Sequence, residues 1–423
     1  MTQIKLFCAT IYNPSKIADL DRVFCPPYDV ISPAEQDYYY QNHPYNFIRL
    51  ILNKHLPGDN AAKNRYQRAQ DTFSEWLRQE ILTKDAQPAI YFYLQEYLYQ
   101  GEKKRRWGFI AALRLEDEGG RNIYPHEKTH LVHKEDRLEL LKKVRANLSP
   151  IFVLFSDREK NIAKISNRLL TEELPFIDIR DKEQTTHKLW RLTDEPAVNK
   201  IISDMQDKSL FIADGHHRFE VAAEYRRQMI EEKGFTSGKE DFNYIMSYFT
   251  DLDSRELLIL PTHRIVKKFS GDITILEDNF RIQKLKTREE LGVLLAKAGI
   301  NEHAFGLYQK DKVFLLRLKS EARVDKIIPD GSVEFRRLDV NLLKYFIFNP
   351  LNIVSEDLIY TNDAKSAMDR VDRGEVAAVF LLNPVKVAQL REIALAGERM
   401  PQKTTYFYPK VLSGLVVSRF EEL

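Results

Sequence analysis

The sequence predicts an α/β (α+β) protein of mixed sheets and helices, and three observations predict it. Short apolar runs such as SPIFVLFSD, SLFIAD and YIMSYFTD have strand length. Longer stretches such as HRFEVAAEYRRQMIEEKG have helix length, and Gly234 closes this one as a C′ residue. The two kinds of segment interleave along the chain, as they do in layered, enzyme-like architectures.

In chain order, Pro26-Pro27-Tyr28-Asp29 is a stiff extended loop, because each proline fixes its own φ and biases its predecessor away from helix. Ser32 caps a helix, with Pro33 at its first position and Glu35 completing a capping box. Tyr66, Ala69, Phe73, Trp76 and Leu77 recur at helical spacing within residues 60–82. AIYFYLQEYLY, GEKKR and RWGFIAALRLE form a hairpin. The loop YPHEKTH leads to a charged helix at about 135–147, then to the strands SPIFVLFSD and SLFIAD. After the helix that opens near His216 come two strands, YIMSYFTD and LLILPTHRIV.

Composition shifts at FSGDITILEDNF, which sets a boundary near residue 270. Residues 1–270 are expected to form one α/β domain, and residues 271–423 a second that contributes to the same cleft. The second carries the helices REELGVLLAKAG, AKSAMDRVDRG and KVAQLREIALAG and the strands HAFGLYQKD, KVFLLRLK and VAAVFLLN.

A length of 423 residues fits two or three domains at roughly 100–200 residues each. Apolar residues at 43% and charged residues at 30% make a soluble, globular mixture. The net charge of +2 gives no global basic field, so a nucleic-acid partner is not expected. Cys8 and Cys25 are too few for a disulfide framework or a cysteine zinc site, which fits a reducing cytoplasm. MTQIKLFCAT lacks the apolar core of a signal peptide, and no run of about 18 apolar residues is present, so no membrane span is expected.

The strongest chemical signal is LFIADGHHRFEVAAEY. Asp214 stands where a buried strand ends, and Gly215 permits a tight turn or a close approach by a ligand. The helix then starts at about His216, so its N–H groups and positive dipole end attract phosphate. His216 and His217 add donors, and Arg218 can fork two oxygens. Asp214 would repel a bare phosphate, so it is expected to hold Mg²⁺ or to accept a hydroxyl proton. The plainer alternative is that Asp214 caps the helix beside surface histidines.

A second signal, His126-Glu127-Lys128-Thr129-His130, contains the H-E-x-x-H pattern of zinc proteases. Pro125 directly before it, Lys128 within it and the lack of a clear third ligand nearby argue against zinc. As a polar active-site loop it offers Glu127 as a base, Lys128 to neutralise phosphate and Thr129 as a donor. Lys403-Thr404-Thr405-Tyr406-Phe407-Tyr408-Pro409-Lys410 combines lysines and hydroxyls with aromatics, suited to cover a nucleotide or to face solvent as a strand. Pro261-Thr262-His263-Arg264 is either a polar strand exit or a source of one more cation, Arg264.

These blocks together resemble the family called domain of unknown function 1015, over essentially the whole chain. The shared landmarks are PPYDVIS (26–32), HEKT (126–129), Asp136-Arg137, NLSPIF (147–152), IADGHHRFE (212–220), PTHR (261–264) and PQKTTYFYPKVLSGLV (401–416). IADGHHR also resembles the phosphate-binding element of the ParB/sulfiredoxin superfamily. Its nearest form is that of the free serine kinases, which use Asp-Gly-His-His-Arg to phosphorylate free L-serine from ADP or ATP. Sulfiredoxins carry a catalytic cysteine where His216 stands here, so reductase chemistry is not expected. ParB partition proteins carry a helix-turn-helix and an arginine-rich motif that this sequence lacks.

The resemblance implies a ParB/sulfiredoxin-like nucleotide-binding core and a phosphotransferase acting on a small hydroxyl metabolite, free L-serine foremost. ADP or ATP would be co-substrate and Mg²⁺ would sit at Asp214. Asp214, Glu127 and His216 would be catalytic. Gly215, His217, Arg218, Lys128, Thr129, Arg264, Lys403, Thr404 and Lys410 would bind nucleotide or phosphate. Arg137, with Tyr28 and Asp29, would bind the acceptor. The rival functions are a phosphoserine phosphatase and a nucleotide-sensing regulator of ParB type.

Overall fold

Two neighbouring residues in the left-handed region, Gln100 (φ 51°) and Gly101 (φ 82°), turn the chain between its two longest strands. They join Ile90–Tyr99 to Glu102–Arg114 in a two-residue hairpin, the connection whose twist matches that of the strands. The computed structural model describes residues 1–117, 120, 122–127, 131–269 and 271–421, with the side chains of the helix Leu131–Val144 described from Lys134 onward.

Contacts divide the chain into two units: residues 1–125, 129–257 and 409–423, and residues 126–128 and 258–408. The boundary expected near residue 270 therefore falls inside the second unit, and the last stretch of the chain returns to the first. The reason is Pro261, which lacks an N–H and breaks the strand expected across LLILPTHRIV. Leu258–Leu260 pairs with Tyr406–Tyr408, while His263–Val266 joins the sheet of the second unit.

Among the described residues of the first unit, nine strands form one mixed sheet. Its order is Ile123–Pro125, Leu210–Asp214, Ile151–Phe155, Tyr244–Asp251, Glu102–Arg114, Ile90–Tyr99, Thr186–Leu192 and Ile177–Arg180, with Ile4–Lys5 also on Glu102–Arg114. Leu210–Asp214 runs parallel to Ile123–Pro125 and antiparallel to Ile151–Phe155, and Ile151–Phe155 runs parallel to Tyr244–Asp251. Strand alternation sends Phe92, Phe109, Val153, Ile212 and Phe249 into one apolar core with Ile162, Leu169, Ile201 and Met205 of the helices Asn161–Glu172 and Glu195–Met205. Phe109 and Phe249 stack at 4.9 Å, worth about 0.5–1.5 kcal/mol beyond their burial. The helices Arg65–Arg78, Leu131–Val144 and His216–Lys233 pack in succession. The helix Pro33–Asn42 begins with the expected capping box of Ser32 and Glu35.

Six described strands of the second unit form an antiparallel sheet in the order Phe280–Leu285, Lys312–Leu318, Ala304–Gln309, Ala378–Leu381, His263–Val266 and Leu358–Thr361. Phe305, Leu307 and Phe380 point to one core, shared with Phe346, Ile347 and Phe348 of a π-helical turn. Val379 and Leu381 point to the other, under the helices Arg288–Ala298 and Ala364–Asp372. No helix among the described residues is long and apolar enough to cross a membrane.

Candidate functional site

The strand Leu210–Asp214 buries its first four residues and delivers Asp214 at its end. Gly215 turns the chain with φ 88°, where a Cβ would stand 2.9 Å from Ile151 Cγ2 and 3.0 Å from a guanidinium nitrogen of Arg218. Both the conformation and the space therefore demand glycine. The helix His216–Lys233 begins at once, with no side-chain cap at its N-terminus. Asp214 does not cap it: its Oδ1 accepts the N–H of Gly215 at 2.7 Å. The helix start thus presents backbone N–H groups and the positive end of its dipole beside the turn.

Lys410 Nζ lies 2.7 Å from Asp214 Oδ2, with the two side chains 12% and 16% exposed. Burial by itself would raise the Asp214 carboxyl, but Lys410, Arg218 and His216 outweigh it and hold the group well below the usual carboxylate range. Asp214 is accordingly a fixed negative charge and a weak proton acceptor. Nor does it fit the expected magnesium ligand, since an ammonium faces one oxygen and an N–H the other. Among the described residues no group of three or more His, Cys, Asp or Glu is placed to hold a metal ion.

Arg218 folds back over Gly215 and donates to the Pro150 carbonyl. Its Nε is buried without an acceptor among the described residues. Arg218 also lines a cavity of about 60 Å³ with Tyr28, Arg137, Asn147, Leu148, Ser149 and Val221. The structure thus brings Tyr28, Arg137 and Arg218, far apart in sequence, to one cavity of the first unit.

Arg137 donates to Ile51 O at 2.6 Å and to Asp136 Oδ2 at 2.7 Å, and its guanidinium stands 4.1 Å from the Tyr28 ring centroid. Asp136 already balances its charge, so the expected role as a bare cation for a substrate carboxylate is weakened. Burial pushes the Tyr28 phenol up to about 12, with Asp29 adding and Arg137 and Arg218 opposing. It therefore remains a hydrogen-bond donor. Asp29 is exposed and does not line the cavity. His216 is buried and His217 half-buried.

In the second unit the remaining predicted residues meet one another. Glu127 Oε1 accepts the N–H of Lys403 at 3.0 Å. Lys403 is exposed and has φ 56°, and the Thr404 hydroxyl donates to Pro401 O. Arg264 donates to the carbonyls of Thr262 at 2.6 Å and Lys403 at 3.3 Å, and lies 4.6 Å over the Tyr360 ring. Burial lowers the Arg264 guanidinium to about 10, against Tyr360 and Glu127. Glu127 and Arg264 thus hold the backbone of the turn at 401–405. His126 accepts from Met400 N at 2.6 Å and forms no helix there, as the zinc-protease pattern would need. Lys128, Thr129 and His130 lie outside the described residues.

Sequence reasoning missed Asn147 and Ser149 in the cavity, and Gln95 and Arg106 beneath Lys410. A signal for the last two was present: strand alternation places Gln95 on the face of Tyr91 and Tyr93, and Arg106 opposite it.

A family model described as "Protein of unknown function (DUF1015)" matches residues 4–341. No curated protein matches the chain. Among solved structures, a conserved hypothetical protein from Pyrococcus furiosus is 16% identical, covering 69% of this chain and 89% of its own, with a TM-score of 0.32. A free serine kinase in complex with AMP is 17% identical, covering 68% and 83%, with a TM-score of 0.32. SbnI from Staphylococcus aureus, truncated at its C-terminus, is 11% identical, covering 72% and 85%, with a TM-score of 0.36.

Proposed function

The chain belongs to the DUF1015 family, whose description states no activity, and from the chemistry of its own site we propose a nucleotide-dependent phosphotransferase. Its acceptor is a small hydroxyl metabolite, free L-serine foremost, and its donor is ADP or ATP. The observation that carries this reading is the strand–turn–helix at Asp214–Arg218. There Lys410, Arg218 and a helix N-terminus capped by no side chain converge on one turn. Phosphoryl transfer asks mainly for positioning and for neutralised oxygens. Gly215, His217 and Arg218 form the cradle, and Lys410 shares its charge between Asp214 and an incoming phosphate oxygen. Asp214 anchors that lysine, and His216 adds a donor at the same turn. The cavity at Tyr28 and Arg218 is far smaller than the roughly 300–1,000 Å³ of a drug-sized ligand site, so it suits the small acceptor rather than the nucleotide. A cytoplasmic setting goes with such substrates.

A second reading, a nucleotide-sensing regulator of ParB type, draws on the same pair: with Asp214 held ionised by Lys410, the turn is better equipped to bind than to remove a proton. Incubation with Mg²⁺, ADP or ATP and pooled amino acids, read by mass spectrometry, separates the two. Phosphoserine with AMP or ADP is the expected result. Nucleotide binding without any phosphorylated product, together with salt-dependent retention on DNA, favours the regulator. Release of phosphate from added phosphoserine without a nucleotide favours a phosphatase.

A further inference from the structure

Gln95 and Arg106 are 0% and 1% exposed, and they face each other across the hairpin Ile90–Tyr99 and Glu102–Arg114. Burying a carboxamide beside a guanidinium is costly unless their hydrogen bonds are met. Arg106 Nε donates to Gln95 Oε1 at 3.2 Å, and Nη2 donates both to that oxygen and to the carbonyl of Pro409. Gln95 Nε2 donates to the carbonyl of Lys410 at 2.9 Å. The guanidinium lies 4.8 Å from the Phe152 ring centroid, which fixes its plane. The two carbonyls belong to consecutive residues, so the backbone of Lys410 is gripped on both sides of its Cα. From that point the side chain reaches Asp214, Nζ to Oδ2 at 2.7 Å.

We propose that Gln95 and Arg106 are positioning residues, which clamp the peptides flanking Lys410 and so set where its ammonium stands beside Asp214 at the helix start. The geometry stands by itself; its consequence for binding rests on the phosphotransferase reading. Space-filling alone does not account for the pair, because buried ionic groups can often be replaced by apolar residues of similar volume at no loss of stability. Arginine suits the task because its planar fork reaches Gln95 and Pro409 together, which a lysine ammonium does not reproduce.

Gln95→Glu tests the clamp. Glutamate has nearly the same shape and still accepts from Arg106, but it has no N–H for the Lys410 carbonyl. In the full chain, ADP affinity by calorimetry should fall about tenfold, the scale of one lost hydrogen bond, while the fold is retained by circular dichroism. In the Lys410→Met background the same change should cost no further affinity, since both act through one ammonium. An unchanged affinity in the Gln95→Glu protein, or an undiminished loss in the Lys410→Met background, overturns the proposal. Failure of the unaltered chain to bind ADP overturns the nucleotide reading instead. The clamp is then judged by urea unfolding: destabilisations of Gln95→Glu and Lys410→Met that fall short of additivity support it, and strict additivity overturns it. If Gln95→Glu does not fold, Gln95→Met, which removes both bonds without adding charge, goes through the same cycle.

Discussion

Asp214 and Lys410 stand 196 residues apart in sequence and 2.7 Å apart in space. One ends the strand next to the edge of the first unit's sheet, and the other belongs to the stretch 409–423 that returns to that unit. The turn between strand and helix is therefore completed by a residue from the far end of the chain.

Removing the ammonium leaves a buried carboxylate without its ion-pair partner. Lys410→Met should destabilise the protein by about 3 kcal/mol, the low end for a buried pair broken on one side. Asp214→Asn added to it should recover part of the loss. Urea unfolding of the two variants measures both effects, and an undiminished midpoint in Lys410→Met would show that the pair is not structural.

Because the folded state depresses the Asp214 carboxyl, its contribution to stability is present above the unfolded value of about 3.9. It is lost as pH falls through the lower folded value. Unfolding midpoints of the unaltered chain and of Asp214→Asn should thus differ most at pH 5–7, draw together progressively below about pH 4, and meet only once pH has passed below the folded value. A gap that widens on acidification contradicts this sign.

Gly215→Ala puts a side chain at φ 88° and against Ile151. The left-handed backbone alone costs about 1–2 kcal/mol, and the contact adds to it. Thermal unfolding should register the loss, with weaker ADP binding in whatever fraction remains folded. An alanine variant as stable as the original would mean that the turn relaxes without penalty.

Tyr28→Phe removes a phenol that burial keeps protonated and leaves the ring beside Arg137. The KM for the acceptor should rise about tenfold while ADP affinity holds, since the cavity is assigned to the acceptor. Equal weakening of both ligands would refute that assignment.

The parts legible in the sequence were those written in neighbouring residues. Ser32 and Glu35 complete each other within one helical turn, and Gly234 takes φ 73° one step past the helix it closes. Gly215 announced its turn for the same reason. The partner of Asp214 was not legible, because no periodicity links residues on such distant segments. Arg264 looked like a spare cation, and only the folded unit shows its fork turned onto the carbonyls of Thr262 and Lys403. The strand Thr186–Leu192 went unread because a polar side chain occupies an inward position. His187 is buried there, bonded to Tyr93 at 2.5 Å and Asp181 at 3.0 Å.

The return of residues 409–421 to the first unit has a bearing on synthesis at the ribosome. Asp214 leaves the exit tunnel 196 residues ahead of Lys410, an interval of about 10–40 s at ordinary translation rates. During that time the nascent strand and helix hold a carboxylate whose counter-ion has yet to be made. The bridges Cys25–Ser413 and Thr10–Val417 wait on the same stretch. A pause in translation between the two prolongs that state, and both bridges stay unformed until the pause ends.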